Sequence, residues 1–271
     1  MHKNCTYHHF SITDCIMKVI NSILLLLSNL TLFLMSLSAA PQDNWDLDEY
    51  KTFGHAWGMR HPIAIAHGTQ GRTFVVEYDK DRVQFRDANQ SIINLKGCGE
   101  NPRGVTYADG KVYVVSEDSE RVYVFNETGQ SLFTFGSDGT GNGQFKDPYG
   151  IASGYDGNDL EIFVTDPTSD RITVFDENGT YKRKFWSVDG NPRGIVADDN
   201  GSVYVSDQSD RINVFNKAGT LLRTITGVSG DPWGLSIHGT RLAVGNSNGS
   251  HDFVRIYDLN GTFIKQFGTD G

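Results

Sequence analysis

Apolar residues along this chain come in short runs, partly alternating with polar ones and separated by glycine-containing turns. The stretch from Arg193 to Ile225 shows the pattern: RGIVA (193–197), SVYVS (202–206), RINVF (211–215) and TLLRTI (220–225), with DDNG and NKAG among them. Runs of this length, rich in Val, Ile and Tyr and close to period two, predict β-strands. No segment combines helical spacing of apolar residues with capping residues at its ends. The NG, DG and AG turns suit hairpins, because glycine adopts positive φ at little steric cost.

The four-run unit recurs. HPIAIAH (61–67), NPRGVTY (101–107), DPYGIAS (147–153), NPRGIVA (191–197) and DPWGLSI (231–237) open five units. Their prolines at 62, 102, 148, 192 and 232 set a period of 40 to 46 residues, the length of a four-stranded propeller blade. One such sheet cannot bury both its faces; blades stacked around an axis bury them between neighbours. The expected fold is therefore all-β, a β-propeller of four-stranded blades.

The motifs that carry this expectation are P-x-G before an apolar strand, a valine-rich strand ending in an acid, and then D-R-I-x-V-F with a glycine turn. With the connector FGSDGTGNGQFKDPYGIA (135–152), they make residues 48–271 resemble the NHL-repeat family of β-propellers. EYKTFG (49–54) matches the fourth runs SLFTFG (131–136) and FIKQFG (263–268). The resemblance implies a six-bladed ring whose last blade is completed by the N-terminal strand and here lacks its first three strands. A closed five-bladed ring is the alternative.

Composition fixes class and compartment. The chain has 271 residues, 38% hydrophobic, enough for one large core. Lys18, the apolar stretch 23–37 and the small residues Ser36, Ser38 and Ala39 give residues 17–38 the form of a secretory signal peptide cleaved after Ser38. An uncleaved membrane anchor is the alternative, since no charge interrupts residues 19–42. Residues 1–16 do not resemble a signal n-region, so translation is expected to start at Met17; residues 39–47 read as a linker. The net charge of −9 becomes −10 once Lys3, Asp14 and Lys18 are removed, which opposes unspecific nucleic-acid binding. Cys5 and Cys15 lie upstream of the expected cleavage, so Cys98 alone remains and no intrachain disulfide forms.

Candidate chemistry falls into two sets. Second strands are expected to end at Glu77, Glu117, Asp166, Asp207 and Asn246, with Arg82, Arg121, Arg171, Arg211 and, less regularly, Arg255 in the third strands. A feature present once per blade decorates a ring, whereas a catalytic site gathers unlike groups at one point. These residues are read as structural, the acids taking turn N–H groups and the arginines pairing with carboxylates.

The residue after each proline varies: Ile63, Arg103, Tyr149, Arg193 and Trp233. In propellers resembling this one, that position lies near the mouth of the central channel. Arg103, Tyr149, Arg193 and Trp233 are therefore the candidate site for an anionic or peptide ligand. No catalytic residue is expected. His55, His61 and His67 lack the cysteine or carboxylate companions of a zinc site, and no acidic cluster offers the converging oxygens calcium needs. Cofactors are expected to be none, zinc or calcium being the minor alternative. Asn89, Asn126, Asn178, Asn200, Asn248 and Asn260 stand in N-x-S/T sequons.

The expected function is a secreted, non-enzymatic scaffold for a protein or peptide partner, with a membrane only if the N-terminal segment stays uncleaved. The resemblance carries two alternatives: a propeller enzyme such as a peptide amidating lyase or a lactonase, and a relative of the tripartite-motif proteins that bind RNA or serve ubiquitin ligases.

Overall fold

A computed structural model describes residues 32–35, 50–53, 59–187, 190–228, 230–247 and 252–268. Five four-stranded antiparallel sheets form a ring, a β-propeller, and within each sheet the strands lie side by side in chain order. Blade 1 consists of Pro62–His67, Thr73–Glu77, Arg82–Arg86 and Ile92–Gly97, and blade 2 of Pro102–Ala108, Lys111–Ser116, Arg121–Asn126 and Ser131–Phe135. Blade 3 runs through Ile151–Asp156, Asp159–Asp166, Arg171–Asp176 and Tyr181–Trp186. Blade 4 is Pro192–Ala197, Ser202–Asp207, Arg211–Asn216 and Leu221–Ile225; blade 5 is Pro232–His238, Arg241–Ser247, Asp252–Asp258 and Phe263–Phe267.

Successive first strands pack on one another from blade 1 to blade 5, so they line the centre of the ring. Among the described residues, blades 5 and 1 share no strand pair packed in this way. Alternation along each strand sends one set of side chains to the blade before and the other to the blade after. Between blades 1 and 2, Phe74, Val83 and Phe85 meet Val112, Val114 and Phe125. Between blades 3 and 4, Phe163, Ile172 and Phe185 meet Val203, Val205 and Phe215. Each such side chain, taken fully from water, contributes roughly 1.5–3 kcal/mol. Cys98 is buried in the core between blades 1 and 2.

The acid–arginine residues serve this frame. Glu77 pairs with Arg82 at 2.5 Å, Asp166 with Arg171 at 3.1 Å and Asp207 with Arg211 at 3.4 Å. Glu77 also accepts the Arg60 N–H, and Asp166 those of Lys146 and Asp147, which fixes the chain just before the proline of the same blade. Buried Arg171 further donates to the carbonyls of Thr140 and Gln144 at 2.6 Å each, clamping the long connector between blades 2 and 3. In blade 2, Ser116 stands opposite Arg121 at the strand end and Glu117 lies one residue beyond. In blade 5 that place opposite Asn246 belongs to Phe253; Arg255 sits two residues on and donates to Gln266.

The acids just before the arginines join neighbouring blades. Asp81, Asp170 and Asp210 adopt left-handed backbone (φ 50, 50 and 57), and each carboxylate accepts the N–H of the residue before the next proline, at Asn101, Asn191 and Asp231. Asx side chains tolerate this conformation better than most.

Tyr50–Phe53 is a strand, but it pairs with Leu32–Met35 in a separate two-stranded sheet and with no strand of a blade. A lone fourth strand needs a third strand beside it, and the apolar run 32–35 supplies an edge instead. Leu32–Met35 lies inside the expected signal segment 17–38, the rest of which falls outside the described residues. Among the described residues no helix is long and apolar enough to cross a membrane.

Candidate functional site: an aromatic and arginine belt

The residues after the prolines are aimed by irregular backbone. Strand register shifts between Pro62 and Ala64, Pro102 and Gly104, Pro192 and Ile195, and Pro232 and Gly234. Such a shift bends the strand and redirects the side chain at the break, here Ile63, Arg103, Arg193 and Trp233. The preceding residues His61, Asn101, Asn191 and Asp231 are left-handed (φ 49, 52, 48 and 55), although a following proline steers its neighbour toward extended backbone.

The outcome is a continuous stack at one end of the ring. The Arg103 guanidinium lies 4.4 Å from the Tyr78 ring centre on one side and 4.9 Å from that of Tyr149 on the other. Tyr149 meets Trp233 with ring centroids 5.5 Å apart, and Arg193 lies 3.9 Å over the Trp233 ring. His61 extends the row, edge-on to Tyr78 at 5.2 Å. All four proposed mouth residues are thus brought together, with Tyr149 of blade 3 touching Trp233 of blade 5 across blade 4; Ile63 packs against the apolar core between blades 1 and 2.

Each cation in the stack has a carboxylate partner. Arg103 donates to Glu117 through Nε and Nη2 at 2.7 and 2.6 Å. Arg193 donates from Nη1 to both oxygens of Asp231 at 2.9 Å, and Trp233 Nε1 donates to the same carboxylate at 2.9 Å. Gln208, with its amide oxygen turned toward Arg193, accepts from Nε at 3.3 Å. His61 Nδ1 lies 3.0 Å from Asp79. Burial pulls the Arg103 guanidinium down, but Tyr149 and Glu117 outweigh it and hold the group above its ordinary value. Burial pushes the Tyr149 phenol up to about 12, against the lowering effect of Arg103 and Arg193. An anionic ligand would therefore have to displace Glu117 or Asp231; the surface on offer is aromatic and guanidinium faces within a charge-matched rim.

Tyr78, Glu117 and Gln208 belong to this site through a second variable column, the residue directly after the second strand. That column is visible in the repeats once the strand ends are fixed by pairing, and it supplies partners to the post-proline residues. Asp231 enters from the pre-proline column. No three His, Cys, Asp or Glu side chains among the described residues are grouped to hold a metal ion. His55 and Asn248 fall outside the described residues. Asn89, Asn178, Asn200 and Asn260 are exposed at turn tips, whereas the Asn126 side chain caps its own turn by accepting from the N–H groups of Thr128 and Gln130.

No protein-family model matches the chain, and no curated protein matches it. Among solved structures, a chain in the crystal structure of a nidogen/laminin complex superposes with a TM-score of 0.66 at 18% identity, over 82% of this chain and 84% of that one. At that identity the likeness shows the fold, a β-propeller.

Proposed function

We propose that this chain is a secreted, NHL-type propeller that holds a protein or peptide partner against the belt at its channel mouth and does no chemistry on it. The observation that carries this reading is the stack Tyr78–Arg103–Tyr149–Trp233–Arg193, drawn from every blade and pre-organised by its own carboxylates. Tyr, Trp and Arg are the residue types that dominate binding energy at protein interfaces, where aromatic rings bury large area at low entropic cost. Rigidity built in before binding lowers the cost of ordering on contact. The partner that fits is one offering apolar or aromatic side chains to the rings and N–H donors to Glu117, Asp231 and Asp79. That the superposable chain comes from a protein–protein complex agrees with such a partner. Secretion rests on the form of residues 17–38, and glycans on the exposed sequons at Asn89, Asn178, Asn200 and Asn260.

The test is capture from the medium in which the chain is expressed, with wild type, Trp233→Ala and the double variant Arg103→Ala/Arg193→Ala compared at equal folded amount. A specific partner should bind wild type and lose at least about 30-fold in affinity with either variant, as expected for hot-spot truncations of 2 kcal/mol or more. Equal affinity across the three proteins would sink the reading.

A further inference from the structure

The belt occupies the end of the ring where first strands begin and second strands finish. The turns joining first to second and third to fourth strands lie at the opposite end. Every sequon among the described residues falls at one of those turns, one to a blade. Asn89, Asn126, Asn178 and Asn260 lie between third and fourth strands of blades 1, 2, 3 and 5, and Asn200 between first and second strands of blade 4.

Four of these turns are built alike. An aspartate opens the turn, and its Oδ1 accepts the N–H groups two and four residues on. Asp87 accepts from Asn89 and Ser91, Asp176 from Asn178 and Thr180, Asp198 from Asn200 and Ser202, and Asp258 from Asn260 and Thr262, each at 2.8 or 2.9 Å. This is an Asx turn, in which a side chain stands in for backbone. Because the aspartate does the capping, each asparagine has its backbone fixed while its own side chain stays exposed at the tip. Glycine then seats the turn on the blade before. At φ 81, 86 and 95, Gly179, Gly219 and Gly261 lie so close to Phe135, Phe185 and Ile225 that an added Cβ would fall under 3.0 Å from them.

Blade 2 differs, because there the sequon asparagine is itself the cap. Asn126 Oδ1 accepts the N–H groups of Thr128 and Gln130 and the Thr128 hydroxyl, and Nδ2 donates to Gln130 Oε1 at 3.1 Å. Both ends of that amide, and the hydroxyl of its own sequon, are bonded into the turn.

We infer that the face opposite the belt is a glycosylated face, with N-linked glycans on Asn89, Asn178, Asn200 and Asn260 but not on Asn126, and that it is closed to protein contacts, leaving the belt end to the partner. The inference rests on the secreted reading above. The co-reactant is an oligosaccharide on a lipid diphosphate. Asparagine Nδ2 bonds to its anomeric carbon, the carbon–oxygen bond to the diphosphate breaks, the amide releases one proton and the lipid diphosphate leaves. N-linked glycans are bulky and hydrated, and on blades 1, 3, 4 and 5 they spread around the ring.

The full chain, secreted from a glycosylating cell, tests this. Glycans are removed enzymatically in heavy-oxygen water, which marks each former acceptor as a labelled aspartate. Peptide mapping should find the label at Asn89, Asn178, Asn200 and Asn260 in most molecules and at Asn126 in few or none. For the closed face, a chain with Cys5→Ser and Cys15→Ser receives one biotinylated thiol, either Asp199→Cys beside Asn200 or Lys80→Cys at the belt end, both exposed positions. Streptavidin should capture the Lys80→Cys protein equally fast before and after glycan removal. It should capture the Asp199→Cys protein at least about tenfold faster afterwards, as a bulky surface modification requires. A secreted chain with Asn126 modified as fully as the rest, with any of the four tips bare, or with capture at Asp199→Cys indifferent to the glycans overturns the inference and leaves the belt to its own test. A chain neither exported nor modified overturns the secreted reading and this inference with it.

Discussion

Gly104, Gly150 and Gly194 bring adjoining blades into contact at the centre of the ring. A Cβ on Gly104 would meet the Tyr149 carbonyl at 3.0 Å, and one on Gly150 or Gly194 would run into the carbonyl of Arg193 or Trp233. These three P-x-G glycines thus set the position of the next blade's belt residue, Tyr149, Arg193 and Trp233. Gly194→Ala should cost about 1–3 kcal/mol in urea unfolding, because backbone on both sides must shift. Gly110→Ala, where nothing lies within 4 Å of the added atom, should cost only the strain of φ 77. Equal losses in the two variants would show that close approach is not what Gly194 provides. The P-x-G motif is plain in the repeats, but a carbonyl from the following blade is a tertiary contact that no spacing within one repeat records. The same holds for the belt: post-proline variability marks Arg103, Tyr149, Arg193 and Trp233, while their pairing with Glu117, Asp231 and Gln208 depends on which side chains the bulges turn together.

Among the elements, the junction of blades 3 and 4 concentrates charge. Glu161 accepts from both Nη atoms of Arg183 at 2.6 and 2.7 Å and lies 2.7 Å from Lys182 Nζ, while Arg183 reaches over to the Lys217 carbonyl. Burial pushes the Glu161 carboxyl up, but the hydrogen bonds from Arg183 and Lys182 outweigh it and hold the group below its ordinary value. The folded state therefore favours the carboxylate. Its contribution is present above the unfolded pKa of about 4.3 and lost as pH falls through the lower folded value. Glu161→Gln should be less stable at pH 7 and show a shallower loss of urea midpoint between pH 5 and pH 3 (about the range either side of that pKa). Parallel acid profiles for the two proteins would refute this. Strand positions were legible at this scale from alternation and turns. The ends were less so: Ser116 takes the strand-end place beside Arg121, one residue before Glu117, because pairing of Pro102 with Ser116 fixes the end. In blade 5, Phe253 takes the arginine's place, so matching by residue type moves Arg255 two positions off register.

For the whole molecule, five prolines 40 to 46 residues apart, with four β-patterned runs following each, were enough to indicate a propeller; helical repeats share that length but not the strand pattern. What the spacing does not reveal is the direction of assembly, which lies in contacts between repeats. Cys98 offers a probe of how the ring holds together. Its thiol is buried between blades 1 and 2, and burial pushes its pKa up, so the reactive thiolate is suppressed in the folded protein. In a chain carrying Cys5→Ser and Cys15→Ser, a thiol reagent should label Cys98 only as fast as the ring unfolds, and labelling should track the loss of β-sheet circular dichroism across urea. Fast labelling with the sheet signal intact would show that blades 1 and 2 part on their own.

Each junction is finished by the later blade, whose turn glycine closes over the earlier blade's fourth strand. During synthesis this gives the ring a growing end. Blade 2 folds with Phe135 uncovered until the chain has reached Gly179, and blade 3 with Phe185 uncovered until Gly219. At ribosomal speeds of roughly 5–20 residues per second, one repeat takes about two to nine seconds to emerge. For that interval the nascent protein always shows one greasy flank, displaced by a single blade at each step. A passing chaperone would meet an apolar patch of the same kind at Phe135, Phe185 and Ile225 in turn on one polypeptide.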